Sequence, residues 1–277
     1  MPALALDSSS WYQVEIGPRL TATAEFVFLN WSGLAGEELV SHLYRVRDQA
    51  WTVSKYPCVG LWMFLLDGIA GFPQFPAILE IAKQPQAKII DLGCGLGQDL
   101  RLLAAHGVST ENMWALDIDD GLWKVGYDLF RDQTQMQAKF LHADFLKVDP
   151  ALNQGLSPLR GEVDLMLASQ FTHLFDWADQ LTASKNMVDL SKPGTMIVGF
   201  QQGRETARAI PRPWGMMFYH NKDSFLQLWD VVQQQTETKW KLDITEIQLK
   251  DWGMLDVDVA WMPDDHMGLN FILTREA

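Results

Sequence analysis

Apolar residues recur along this chain with two different periods, and the change from one to the other divides it. Over 37–50, Leu39, Val40, Leu43, Tyr44 and Val46 fall three and four apart, the spacing that gathers them on one face of a helix. The pattern breaks at 54–57. The apolar run 59–66 that follows is closed by Asp67 and Gly68, and it reads as a buried helix far too short to cross a bilayer. From residue 87 onward, short apolar strands alternate with helical stretches. Strands are expected at 87–92, 112–118, 138–142, 163–169, 195–200, 240–249 and 268–274, with helices at 98–106, 119–132, 176–190 and 221–235. This alternation predicts an α/β fold: a Rossmann-like seven-stranded, mostly parallel sheet with helices on both faces. Residues 1–84 are expected to form an N-terminal helical cap that serves as a substrate lid, and 85–277 the core. The segment 201–219, with Pro211 and Pro213, is long for a connection and is expected to be a lid loop.

Composition narrows the partners. A chain of 277 residues with 48% hydrophobic content can bury one large core. Its 22 basic and 35 acidic residues leave a net charge of -13, which repels phosphate backbones and anionic lipid, so a small molecule is expected rather than nucleic acid or membrane. The start Met1-Pro2-Ala3-Leu4 lacks the basic, then apolar, pattern of a signal peptide, and the two cysteines, Cys58 and Cys94, suit a reducing cytoplasm. Twelve tryptophans are unusual, and Trp11, Trp31, Trp51 and Trp62 all precede residue 87. Core packing, a flat apolar pocket and a homodimer face remain open roles for them.

The sharpest local signal is Asp91-Leu92-Gly93-Cys94-Gly95-Leu96-Gly97, between the first core strand and a helix. In an open parallel sheet the ligand lies beyond the carboxyl ends of the strands, which is where this turn falls. Gly93, Gly95 and Gly97 permit positive φ and carry no Cβ, so their backbone is expected to approach a ligand closely. A dinucleotide fingerprint spaces its glycines G-x-G-x-x-G to dock a pyrophosphate on the next helix. Here the third glycine comes one residue early and Asp91 stands two residues before the first, a spacing suited to the cationic sulfonium of S-adenosylmethionine. Asp117, about 20 residues on at the end of the second strand, is placed to accept both ribose hydroxyls. After the third strand, Asp144 offers a carboxylate to the adenine amino group and Phe145 a ring to the base; Cys94, Gln98, Ile118 and Ser169 complete the expected cofactor contacts. Asp119 and Asp120 read as helix-start acids, and the Cys94 thiol as a small packed group rather than a nucleophile.

At these residues the sequence resembles the class I S-adenosylmethionine-dependent methyltransferases from residue 87 to the C-terminus. It departs from them at Lys192-Pro193-Gly194-Thr195, where a second glycine is usual at Thr195, away from the cofactor. Tyr56-Pro57-Cys58, the run from Asp91 through Asp99 to Arg101, Gly126 to Asp132, Ser169 to Trp177 and His220-Asn221 further resemble fungal methyltransferases of meroterpenoid and aromatic polyketide biosynthesis. That resemblance implies an antiparallel final strand and a small-molecule acceptor, often a carboxylate capped as its methyl ester.

Methyl transfer is an in-line displacement in which alignment and desolvation do most of the work. A carboxylate acceptor is already ionised near neutral pH and needs only an orienting donor and an apolar wall, whereas a phenol needs its proton removed. His173, after the fourth strand, and His220, before a helix start at Asn221, are the candidate catalytic histidines, with ordinary capping roles open for both. Arg204, Arg208 and Arg212 offer guanidinium forks to an acceptor carboxylate, and Tyr56, Gln170 and Tyr219 are further candidate substrate contacts. His266, beside Asp264 and Asp265, has no second histidine at ligand spacing, so no metal is expected and a turn is. The sequence thus predicts a cytoplasmic O-methyltransferase of secondary metabolism that acts on an aromatic or terpenoid acid and releases S-adenosylhomocysteine. A phenol or hydroxyl acceptor is the first alternative. A protein of this fold that uses the cofactor structurally, to cyclise its substrate, is the second. A nicotinamide-dependent oxidoreductase is the third, against which the early Gly97 and Asp144 argue.

Overall fold

The computed structural model describes residues 8–147, 155–212 and 215–277; Met1 to Leu4 and Pro213, which entered the sequence reading, lie outside them. The N-terminal part is helical, as its period predicts. Helix α1, Ala22–Ser32, begins where the Thr21 side chain accepts the Ala24 N–H and ends at Gly33 with φ 68°. The amphipathic α2 spans Gly36–Val53. The expected helix at 59–66 is replaced by a single turn, α3, Pro57–Gly60, a left-handed Trp62 at φ 59° and a 3-10 turn, Met63–Leu65. Gly60 lets this turn pack closely, since any Cβ there would collide with the Trp11 carbonyl and the Trp51 ring, and the left-handed Trp62 then turns the chain out of the helix. Helix α4, Phe75–Ala82, leads to the core.

The core alternates as expected: β1 Ile89–Leu92, α5 Gln98–Ala105, β2 Met113–Asp117, α6 Gly121–Phe130, β3 Lys139–His142, β4 Val163–Leu167, α7 Trp177–Leu190 and β5 Ser191–Arg204. Then come β6 Arg208–Arg212, β7 Gly215–Tyr219, α8 Lys222–Thr236, β8 Trp240–Ile247, α9 Asp256–Val259 and β9 His266–Arg275. Seven strands form one sheet in the order β3-β2-β1-β4-β5-β9-β8, parallel from β3 to β5, with β9 running antiparallel between β5 and β8. The central strands are apolar on both faces because both are covered. Ile89, Met113 and Leu165 join a layer with α1, α2, α4, α5 and α6, while their neighbours Ile90, Trp114 and Met166 join the layer under α7 and α8.

A second expectation is corrected. The segment 201–219 is not a loop: β5 runs on to Arg204 against β9, and β6 and β7 form a separate antiparallel hairpin. Its alternating burial, with Met217 and Tyr219 inward and Met216 outward, is a strand pattern that the prolines concealed, and Pro211 is tolerated because β6 is an edge strand. The turn expected before the last strand is present: the His266 N–H donates to the Pro263 carbonyl at 3.1 Å, and His266 is the first residue of β9. Asp119 and Asp120 do sit at the start of α6, where the Asp119 carboxylate accepts the Gly121 N–H at 2.7 Å and Asp120 pairs with Lys124 at 2.7 Å.

Cap and core share one apolar layer and are further joined by polar contacts. His42 Nε2 lies 2.8 Å from the Leu129 carbonyl, and Trp31 Nε1 donates to Asp132 at 2.7 Å. Asp132 also receives a two-point pair from Arg101 at 2.8 and 3.1 Å, both side chains being fully buried. The remaining face of the guanidinium donates to the Leu96 and Gly97 carbonyls of the glycine turn at 2.9 and 3.3 Å. Removing one partner of a buried ion pair strands the other's charge, so Asp132→Ala should destabilise the fold by about 3–5 kcal/mol. The apolar double variant Arg101→Met with Asp132→Leu should recover much of that loss in urea unfolding yet bind S-adenosylhomocysteine more weakly than wild type, because nothing then holds the two turn carbonyls. Full recovery of both properties would reduce the pair to packing.

Candidate active site

The glycine turn lies at the carboxyl edge of the sheet, where β1 gives way to α5. Gly93, Gly95 and Gly97 all have positive φ, at 70°, 50° and 72°. The Gly93 and Cys94 N–H groups both donate to the Leu116 carbonyl, at 2.8 and 3.1 Å, which ties the turn to β2. The bare backbone is used differently from the sequence expectation. At Gly93 the missing Cβ makes room for the Phe171 ring, and at Gly97 for Arg101 and Trp123; only Gly95 is open, with Leu122 nearest at 3.9 Å. Two of the three glycines therefore admit the protein's own side chains. All three still need positive φ.

Around the turn stand three acids. Asp91 shares its face of β1 with Ile89, is 3% exposed, and its Oδ2 has no hydrogen-bond partner among the described residues. Burial, then Asp99 and Asp117, push its carboxyl well above the usual range against the opposing pull of Arg101. Asp99, in the first turn of α5, is raised to about 6 by burial, with Ser169 opposing. Asp117, at the end of β2, is raised chiefly by burial; its Oδ2 accepts the Gly95 N–H at 3.0 Å and its Oδ1 the Asp119 N–H at 3.3 Å. None of the three forms an ion pair among the described residues, and the cation beside them, Arg101, is committed to Asp132. Buried carboxylates without counter-ions are costly. A ligand carrying positive charge relieves that cost, so the site fits a sulfonium and its ammonium group.

Of the other candidates, Ile118, a predicted cofactor contact, is 64% exposed beside Asp117, and Tyr56, from the predicted substrate side, is close enough to Asp117 and Asp119 for their charges to raise its phenol after burial does. Gln98 opens α5 next to Asp99 and shares a small cavity with it under Thr23 and Ala24 of the cap. Asp144 accepts the Leu146 N–H at 3.1 Å and pairs with Lys147 at 2.8 Å. Phe145 is buried, its ring edge-on to Phe171 at 5.8 Å, rather than bare at the sheet edge. The Cys94 thiol is buried and pushed well above its ordinary pKa, so it stays protonated and packed.

A second group forms where β4 and β5 end against the hairpin. Gln170 holds a left-handed φ of 55°, rare for a residue with a Cβ, and its N–H extends the β5 pairing by donating to the Phe200 carbonyl at 2.5 Å. His173 is 4% exposed and stacked 6.4 Å from the Tyr219 ring; burial, then the charge of Arg212, push it down to about 3. Arg212 donates to the Tyr219 hydroxyl at 3.2 Å and lies 5.6 and 5.4 Å from the ring centres of Tyr219 and Trp261. It has no acidic partner among the described residues. Arg204 and Arg208, by contrast, both pair with Asp265. Arg204, Arg212, Tyr219, His266 and Met262 line one narrow cavity. Neither His173 nor His220 lines it: His220, fully buried, contacts Ser224 Oγ at 2.8 Å through Nδ1 among Trp177, Phe218 and Phe225, and burial lowers it to about 3. Asp99, Phe171 and Trp261 carried no assignment in the sequence reading, and nothing in their local spacing distinguishes them from core or surface residues.

No helix among the described residues is long and apolar enough to cross a membrane. Comparison with known proteins agrees with the geometry. A family model described as the meroterpenoid methyltransferase N-terminal domain matches 11–65, and a methyltransferase domain model matches 89–194. The O-methyltransferase phiE of a fungal species is 31% identical over 96% of this chain and 92% of its own length. The asnovolin E/chermesin D methyltransferase nvfJ of Aspergillus novofumigatus is 32% identical over 93% and 90%. Among solved structures, the Burkholderia thailandensis 1,6-didemethyltoxoflavin N1-methyltransferase, bound to its substrate and S-adenosylhomocysteine, shares the fold. It has a TM-score of 0.54 at 14% identity, covering 88% of this chain and 92% of that one. The chain belongs to the S-adenosylmethionine-dependent O-methyltransferases of fungal secondary-metabolite pathways, in the group that carries the meroterpenoid methyltransferase N-terminal domain.

Proposed function

We propose that this enzyme methylates the carboxylate of a small apolar acid, giving a methyl ester. The observation that carries this reading is the Arg212 guanidinium, without an acidic partner among the described residues and beside a histidine held neutral. With His173 lowered to about 3, the imidazole is a poor base for a phenol that ionises near 10. An acceptor that arrives ionised needs no base, and Arg212 is the group to orient it.

S-adenosylmethionine supplies a methyl group on a sulfonium. The chain's part is to hold and align. Asp91 and Asp99 would balance the positive centres, Asp117 has lone pairs left that would take the ribose hydroxyls, and Ile118 and Asp144 would hold the base. Gly93, Gly95 and Gly97 fix the backbone that carries these groups, and Tyr56 and Gln98 close the cap side. On the acceptor side, Arg212 and Tyr219 bind the acid, Gln170 shapes the sheet edge, and neutral His173 donates or accepts one hydrogen bond without taking a proton. Incubation with labelled S-adenosylmethionine and a panel of aromatic and terpenoid acids and phenols tests the reading. Base-labile label in the acids supports it; label only in base-stable ethers refutes it.

Replacing the ribose acceptor by Asp117→Ala should weaken S-adenosylhomocysteine binding by roughly 1–3 kcal/mol in calorimetry, and unchanged affinity would remove Asp117 from the cofactor site. The acid side has a pH signature. Asp99 is ionised only above about 6, so S-adenosylmethionine affinity should fall as pH is lowered through 6, while His173, titrating near 3, leaves kcat flat between pH 7 and 9. A kcat that climbs with pH across that range would point to a phenol.

A further inference from the structure

Buried hydrogen-bonding groups without partners lie on and around the Arg212 cavity, and of them Arg204 lines it. Arg204 is 5% exposed and paired with Asp265 through its Nη2, yet its Nε is buried and has no partner among the described residues. His173 Nδ1 is likewise buried and unsatisfied. So is the Nε1 of Trp261, whose ring lies 5.4 Å from the Arg212 guanidinium carbon and 5.3 Å from Trp11. Trp252, 9% exposed and stacked 4.0 Å from Phe200, adds another unpartnered indole N–H in the same apolar cluster. A buried unpaired donor costs about 1–3 kcal/mol, so each of these groups gains from an oxygen brought to it.

We infer that Trp261 is a specificity-determining residue, whose indole N–H donates to an oxygen on the acceptor next to the carboxylate that Arg212 binds. This rests on the carboxylate reading above and adds the class of acid: one with an ether, ester or ketone oxygen close to its carboxyl group. The 5.4 Å between the Arg212 guanidinium carbon and the centre of the Trp261 ring sets the position, since an oxygen that meets this indole is only a few bonds from the carboxylate on Arg212. Chain geometry supports a recognition role over a packing one. Trp261 sits between α9 and β9 in a segment anchored from both sides, by the buried Arg19–Asp258 pair at 2.5 Å and by Arg204 with Asp265, so the segment is held by contacts that do not use the indole N–H.

The test uses two probes matched in size, 2-methoxybenzoate and 2-ethylbenzoate, titrated by ligand-observed NMR into the full chain saturated with S-adenosylhomocysteine. Wild type should bind the methoxy acid about five- to tenfold more tightly, the value of one good hydrogen bond. Trp261→Phe should bring the ratio to within about twofold of one, and Trp261→His, which keeps a ring N–H, should restore part of it. Equal affinities in wild type, or a ratio that survives Trp261→Phe while both acids weaken together, would reduce Trp261 to packing and overturn the inference. Arg212→Gln separates the two levels: if it spares binding of both acids, the carboxylate reading fails whatever Trp261 does. Absence of saturable binding by either acid overturns both.

Discussion

One guanidinium organises the cofactor side of this enzyme. Arg101 is fully buried, grips Asp132 with two hydrogen bonds, and turns its remaining nitrogen to the Leu96 and Gly97 carbonyls. The Trp123 and Phe130 rings lie 4.6 and 4.9 Å from its carbon, and Trp31 of the cap donates to the same Asp132. Helix α1, the glycine turn and the end of α6 therefore meet at one charge. A buried ion pair is weak evidence for stability in itself, because apolar replacements often pack as well. What apolar groups lack is the ability to hold two carbonyls of a turn in fixed directions. The backbone so fixed presents the Gly95 N–H to Asp117.

The same commitment explains the charge of the site. Because Arg101 is neutralised by Asp132, it leaves Asp91, Asp99 and Asp117 largely to one another, and burial raises each of them. A net charge of -13 spread over the chain could not select a sulfonium; three acids packed around one turn can. Family membership and electrostatics thus point to the same cofactor by separate routes.

Much of this was legible in the sequence because periodicity and glycine spacing are local. The strand–turn–helix around Gly93 to Gly97, the acid at Asp117 and the seven strands follow from patterns a few residues long. The roles of individual glycines were less legible. Gly93 and Gly97 looked bare toward a ligand, yet their space is taken by Phe171, Arg101 and Trp123, residues whose approach depends on tertiary packing. The hairpin β6–β7 was hidden by Pro211, which signals a loop unless the strand is known to lie at an edge. The sequence put His173 ahead of His220 only on its place after the fourth strand, at the ligand edge of the sheet. Packing separates them: Arg212 and the cavity stand beside one, Ser224 and three aromatic rings around the other.

The two halves of the site carry opposite charge, and for a carboxylate acceptor this has a chemical consequence. Acids gather at the glycine turn, while Arg204, Arg208 and Arg212 gather at the hairpin, with Phe171 and His173 in the stretch of chain between. A cationic donor and an anionic acceptor enter, and a neutral thioether and a neutral ester leave. Each half-site loses the charge it was built to hold in the same step, so substrates are favoured over products at both ends without any conformational signal. A phenol that bound in its neutral form would forgo that advantage on the acceptor side. With a carboxylate acceptor, the arginine-lined cavity would thus act in turnover, through product release, as well as in recognition.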